Sequence, residues 1–125
     1  MVRVAKTQRE EIETILRKLS SIGNVEGCAI VSRDGLLIAD ALPKNVDAEI
    51  FSSMSATMHG AAETAISELK KGVCQLTMAE SDKSLVVSLG VNPTFILVSL
   101  AAKGVNLGLL RVEMKKVSSQ IAQML

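Results

Sequence analysis

The chain has no Trp, no Tyr and only two Phe in 125 residues. Without aromatic faces it has no platform on which bases could stack. A basic field is missing too: 14 Lys and Arg stand against 13 Asp and Glu, and no single-sign block exceeds three residues. Neither nucleic acid nor an anionic membrane is therefore an expected partner. Cysteine is nearly as scarce. Cys28 and Cys74 form no CxxC and have no histidine nearby in sequence, which points to free, buried thiols rather than a disulfide or metal site. No apolar run could span a bilayer, since the longest, near Phe95 to Ala102, is broken by Ser99. The first residues, Met-Val-Arg-Val-Ala-Lys, lack the apolar stretch of a signal peptide. The expected setting is cytoplasmic.

What the sequence has in quantity is aliphatic side chain. Hydrophobic residues make up 48% of it, six of them Met. The core must be built from Ile, Leu, Val, Ala and Met. This is more apolar content than one small core needs, so an interface between copies is expected. The length suits one domain, read as residues 7–125 behind an N-terminal segment of residues 1–6.

Thr7 and Glu10 have the spacing of a capping box, followed by Ile12, Ile15, Leu16, Leu19 and Ile22 at helical intervals, with Gly23 as a natural stop. The stretch Val31-Ser-Arg-Asp-Gly-Leu-Leu-Ile-Ala-Asp40 reads as a hairpin with a type I′ turn at Asp34-Gly35, joining strands near 28–32 and 36–41. Asp47 caps a second helix, with Val46 and Phe51 placed as a hydrophobic staple, and Gly72 ends it after Lys71. Strand three, about 73–79, alternates Cys74, Leu76 and Met78 with Gln75, Thr77 and Ala79, the pattern of a half-covered edge. Strand four follows at 85–89. Strand five, 95–101, is almost wholly apolar and should be central. The last helix starts near Asn106 and repeats Leu107, Leu110, Met114, Val117, Ile121 and Met124 toward the sheet. The order α-β-β-α-β-β-β-α gives an α/β/α sandwich of the α+β kind. Its five-stranded, mostly antiparallel sheet has one long helix on one face and two helices on the other.

The second helix has the more informative pattern. Ile50, Phe51, Met54, Met58, Ala61, Ala62, Ala65, Ile66 and Leu69 fill an arc of roughly 160°, wider than a one-sided stripe. Phe51, Met58, Ile66 and Leu69 are assigned to the sheet. Ile50, Met54, Ala61 and Ala65 are left for a second contact.

Reactive chemistry is hard to find. His59 lies on the polar side of the helix without an obvious partner and reads as exposed or interfacial rather than catalytic. Gly104 and Gly108 fit neither GxGxxG nor a P-loop, and they read as turn and packing glycines. Asp34, Asp40, Glu80 and Asp82 are explained by turns and strand ends better than by paired acid–base work. Arg33 and Arg111 read as solvated rather than as arginine fingers. A cysteine nucleophile at Cys28 or Cys74 is the weakest reading. No enzyme activity, cofactor or metal is expected.

Ile22-Gly-Asn-Val25, Gly27, Ile30-Val-Ser-Arg-Asp-Gly35 and Ile38-Ala39 resemble the opening signature of the roadblock/dynein-light-chain family. Asn106-Leu-Gly-Leu-Leu-Arg111 resembles its closing one. The resemblance implies dimers in which the long helices pack antiparallel and the third strands pair, and a scaffold or regulator of Ras-like small GTPases. The wide apolar arc of the second helix and the alternating edge strand place the homodimer interface at Ile50, Met54, Ala61, Ala65, Val73, Gln75 and Thr77. A small-molecule sensor of similar architecture, with a pocket lined by Met58, Met78 and Met114, is the alternative.

Overall fold

The structure, a computed structural model, describes residues 4–125. Eight elements follow the expected order: α1 (Lys6–Ser20), β1 (Val25–Ser32), β2 (Leu37–Ala41), α2 (Ala48–Glu68), β3 (Leu76–Glu80), β4 (Ser84–Gly90), β5 (Phe95–Ala102) and α3 (Leu107–Ala122). The sheet runs β2-β1-β5-β4-β3, with every neighbouring pair antiparallel. β5 is central and β3 is an edge, as the apolar run of one and the alternation of the other require. α1 and α3 lie on one face. α2 crosses the other face from the β2 edge to the β3 edge.

Strand alternation divides the core in two. Cys28, Ile30, Leu85, Val87, Leu89, Phe95, Leu97 and Ala101 meet Ile12, Leu16, Leu19, Leu110, Met114 and Ile121 from α1 and α3. Ala29, Val31, Ile96 and Val98 face the other way, where Phe51 and Ala56 of α2 join them.

Local signals depart from the sequence reading in five places. α1 begins one residue before Thr7: Ala5 takes the cap position, and its N–H donates to Gln8 Oε1 at 3.3 Å. After α1 the left-handed residue is Asn24 (φ 68°), not Gly23. The Asn24 carbonyl accepts from Ala102 N–H at 2.7 Å, which docks the loop on β5. In the β1–β2 hairpin only Gly35 has positive φ (93°), and Gly35 N–H donates to the Ser32 carbonyl. This is a three-residue loop with Gly at the bulge position rather than a type I′ turn. Next, α2 stops at Glu68 instead of Lys71. Lys70 takes the left-handed conformation (φ 54°) while Lys70 and Lys71 N–H bond back to Ser67 and Ile66 carbonyls. This pair of bonds is a Schellman motif. β3 starts later than expected, so Val73, Cys74 and Gln75 belong to the connection before it.

Candidate interaction surface

α2 is seated by a face the sequence did not single out. Asp47 Oδ1 caps the helix, accepting from Ile50 N–H at 3.0 Å. The residues then buried are Phe51, Ser52, Ser55, Ala56 and His59. They recur at one-, three- and four-residue steps, so they form one helical stripe made mostly of small or polar side chains. Small residues let the helix lie close: a Cβ added at Gly35 of the hairpin would stand 3.1 Å from Ser53 Cα. The assignment of Met58, Ile66 and Leu69 to the sheet is corrected accordingly. Met58 and Ile66 are half-buried and Leu69 is exposed.

His59 is 1% exposed, so it is neither a surface nor a freely accessible residue. Its Nδ1 lies 2.9 Å from Ser88 Oγ on β4, and Ser88 Oγ is hydrogen-bonded to Thr77 Oγ1 on β3. Its Nε2 is 3.5 Å from Glu63 Oε2, and Glu63 pairs with Arg33 at the hairpin. Arg33 also donates from Nη2 to the Asn92 carbonyl at 2.9 Å, so it is tied down rather than solvated. Burial lowers the His59 pKa; Glu63 opposes that shift and Arg33 reinforces it. The ring is therefore neutral, and we assign its proton to Nε2, on the side of the carboxylate, leaving Nδ1 to accept from Ser88. The relay pins α2 to both halves of the sheet. Its bonded partners lie 29, 30 and 59 positions apart in sequence, at His59–Ser88, Arg33–Glu63 and Arg33–Asn92. The only available signal was the helical spacing of Ser52, Ser55 and His59.

With this stripe turned inward, the apolar arc of α2 faces out. Ile50 is 60% exposed and Met54 59%; Ala61 and Ala65 are exposed as well. Between α2 and the outer strands lies an apolar groove of about 180 Å³ lined by Ile50, Met54, Met58, Ala79 and Val86. Beside it the outer side of β3 pairs with no strand among the described residues. Val73 and Gln75 are exposed in the approach to β3. Thr77 differs from the other interface candidates: its side chain is turned under α2, so only its backbone could serve an edge contact.

Other candidate residues do not converge. Met114 is buried under α1 and α3, while Met58 lies on the opposite face of the sheet, so Met58, Met78 and Met114 line no common pocket. Cys28 and Cys74 are free and buried. Burial pushes the Cys28 thiol up to about 11, and it donates to the Leu16 carbonyl. A thiol so held is a packing group, not a nucleophile. Among the described residues no group of three or more His, Cys, Asp or Glu could hold a metal, and no helix is long and apolar enough to cross a membrane.

Fold and surface together define a small sheet-and-helix domain whose most developed feature is an uncovered apolar face. The chain belongs to the Roadblock/LC7 domain family, whose model matches residues 11–101. It is 40% identical over 115 residues to the uncharacterised protein MJ0714 of Methanocaldococcus jannaschii, covering 90% of this chain and 95% of that one. Its fold is similar to MglB of Myxococcus xanthus, with a TM-score of 0.83, 22% identity, and 91% of this chain and 94% of that one covered. It is likewise similar to the gliding protein MglB of Thermus thermophilus, with a TM-score of 0.87, 14% identity, and 97% and 93% covered.

Proposed function

We propose that the protein is a non-enzymatic, cytoplasmic homodimer that scaffolds or regulates a Ras-like small GTPase. The observation that carries the dimer is the coincidence, on one side of the molecule, of an exposed apolar α2 face and an unpaired β3 edge. Two copies related by a two-fold axis bury both at once: Ile50, Met54, Ala61 and Ala65 against their counterparts, and one β3 beside the other. The alanines permit close approach of the helices. The GTPase partner rests on roadblock membership.

Met54→Asp or Ala61→Glu should shift the protein to monomer in light scattering, with little loss of fold stability because both positions face outward. A mutant of unchanged mass would remove this face from the interface. Capture with the tagged protein from its native cytosol should enrich a small GTPase, and capture without one would withdraw the partner.

A further inference from the structure

The corner of the sheet at the start of β3 carries a cleft that the apolar face of α2 does not use. β3 first pairs with β4 at Leu76 and Leu89, so no ladder joins residues 73–75 to the end of β4 and the turn after it. Between them opens a space of about 520 Å³, bounded by Glu63 of α2 on one side of the sheet and by Lys115 and Ser118 of α3 on the other. That is the volume of a small-molecule site.

Its polar lining is rich in hydrogen-bond donors. Arg33 spends three of its five N–H groups, one on Glu63 and two on the Asn92 carbonyl, and keeps two. Asn92 Oδ1 already accepts from Thr94 and Phe95 N–H, which leaves its amide N–H groups to donate. Lys115 has no carboxylate within ion-pair distance among the described residues. Behind this lining stands His59, 1% exposed, whose Nε2 has no hydrogen-bond partner; a donor so placed lacks an acceptor. Gly90 keeps the way to both groups open: a Cβ there would stand 3.0 Å from Arg33 Nη2 and 3.9 Å from His59 Nε2.

Charge and apolar surface narrow the ligand. Arg33 and Glu63 neutralise each other, so Lys115 leaves the lining one positive charge in excess, which one carboxylate matches and a doubly charged phosphate ester does not. Val73, Leu89 and Val91 add an aliphatic wall. We propose that this cleft binds a small organic monocarboxylate, its acid group taken by Arg33, Asn92 and Lys115 and its aliphatic body laid on Leu89 and Val91. Val73 and Gln75 stand at the dimer seam proposed above, but every charged group of the site comes from one chain, and the site does not require that seam.

Titration of the full chain with hexanoate, followed by NMR of the backbone amides and the His59 ring, tests the site. Saturable shifts are expected at Gly90, Val91, Asn92 and His59. 1-Hexanol, which has the body without the charge, and inorganic phosphate, which has charge without the body, should each bind at least about tenfold more weakly. Lys115→Gln should weaken hexanoate about tenfold by removing a charge-assisted bond, and it should fold normally because Lys115 is exposed. Gly90→Ala should weaken it as well, by setting a methyl group in the approach to Arg33. The absence of a saturable shift up to about 50 mM hexanoate, hexanol or phosphate binding as well as hexanoate, a Lys115→Gln variant equal to wild type, or shifts centred elsewhere on the molecule would each overturn the proposal. Met54→Asp should bind hexanoate as wild type does, so failure of the α2 contact is read separately; loss of binding in that variant would show that one chain does not form the site.

Discussion

Among the described residues the apolar cluster between the sheet and α1 and α3 holds sixteen buried side chains, whereas the cluster between the sheet and α2 holds six. The first face is held by side-chain volume, with Leu16, Leu97, Leu110 and Met114 at 0% exposure. The second is held by a thinner apolar layer around Val31, Phe51, Ile96 and Val98 and by the chain of hydrogen bonds from Thr77 through Ser88 to His59. Each scheme has a consequence for what remains outside. An amphipathic helix ordinarily spends its apolar stripe on its own core. α2 uses Ser52, Ser55 and His59 there, and so keeps Ile50, Met54, Ala61 and Ala65 on its outer surface.

Paired substitutions can break or sharpen this contrast. The largest effect belongs to the aliphatic face: Val87→Ala should cost about 2.5 kcal/mol in chemical denaturation, against about 1.5 for Val98→Ala on the α2 face. Both valines are fully buried. The difference comes from how readily the thinner layer closes over a vacancy, and equal losses would remove the distinction. Ser88→Ala comes next, at about 2 kcal/mol, because it strips His59 Nδ1 and Thr77 Oγ1 of their common partner. A loss below about 0.5 kcal/mol would show that the relay does not hold α2.

The smallest effect is in pH. The folded-state pKa of His59 lies below its usual value near 6.5, so below that pH the unfolded chain binds the extra proton first. The stability contribution is complete above pH 6.5 and is lost as pH falls toward and through the folded value, with a slope of at most about 1.4 kcal/mol per pH unit. His59→Leu should flatten that slope. An unchanged pH profile would exclude His59 as its source.

The order of elements was legible because alternation and apolar runs depend on burial alone. Phe95 to Ala101 could only be central, and the mixed Cys74–Ala79 stretch could only be peripheral. The seating of α2 was not legible. Hydrophobic periodicity selects the greasiest arc as the core side, but here the inward arc is decided by whether Ser88 and Thr77 wait on the sheet to satisfy a histidine. That is a tertiary fact, joining positions 59 and 88. Arg33 was misread for the same reason, since nothing near it in sequence announces Glu63. Thr7 and Gly23 lost their capping roles to residues that also make distant contacts: Gln8 reaches Met124, and Asn24 docks against Ala102.

The connectivity of the sheet has a kinetic side. β1 pairs with β2 through a tight turn, and β3, β4 and β5 form a meander, so each group can assemble locally. The ladder that unites them joins Val25–Ser32 to Phe95–Ala101. Bringing Ser32 to Phe95 closes a loop whose chain-entropy cost is on the order of 4 kcal/mol before any packing is gained. The passage between two half-sheets and one is therefore where the folding barrier should lie, and substitutions along the β1–β5 ladder are the ones expected to alter how fast the chain folds as well as how stably.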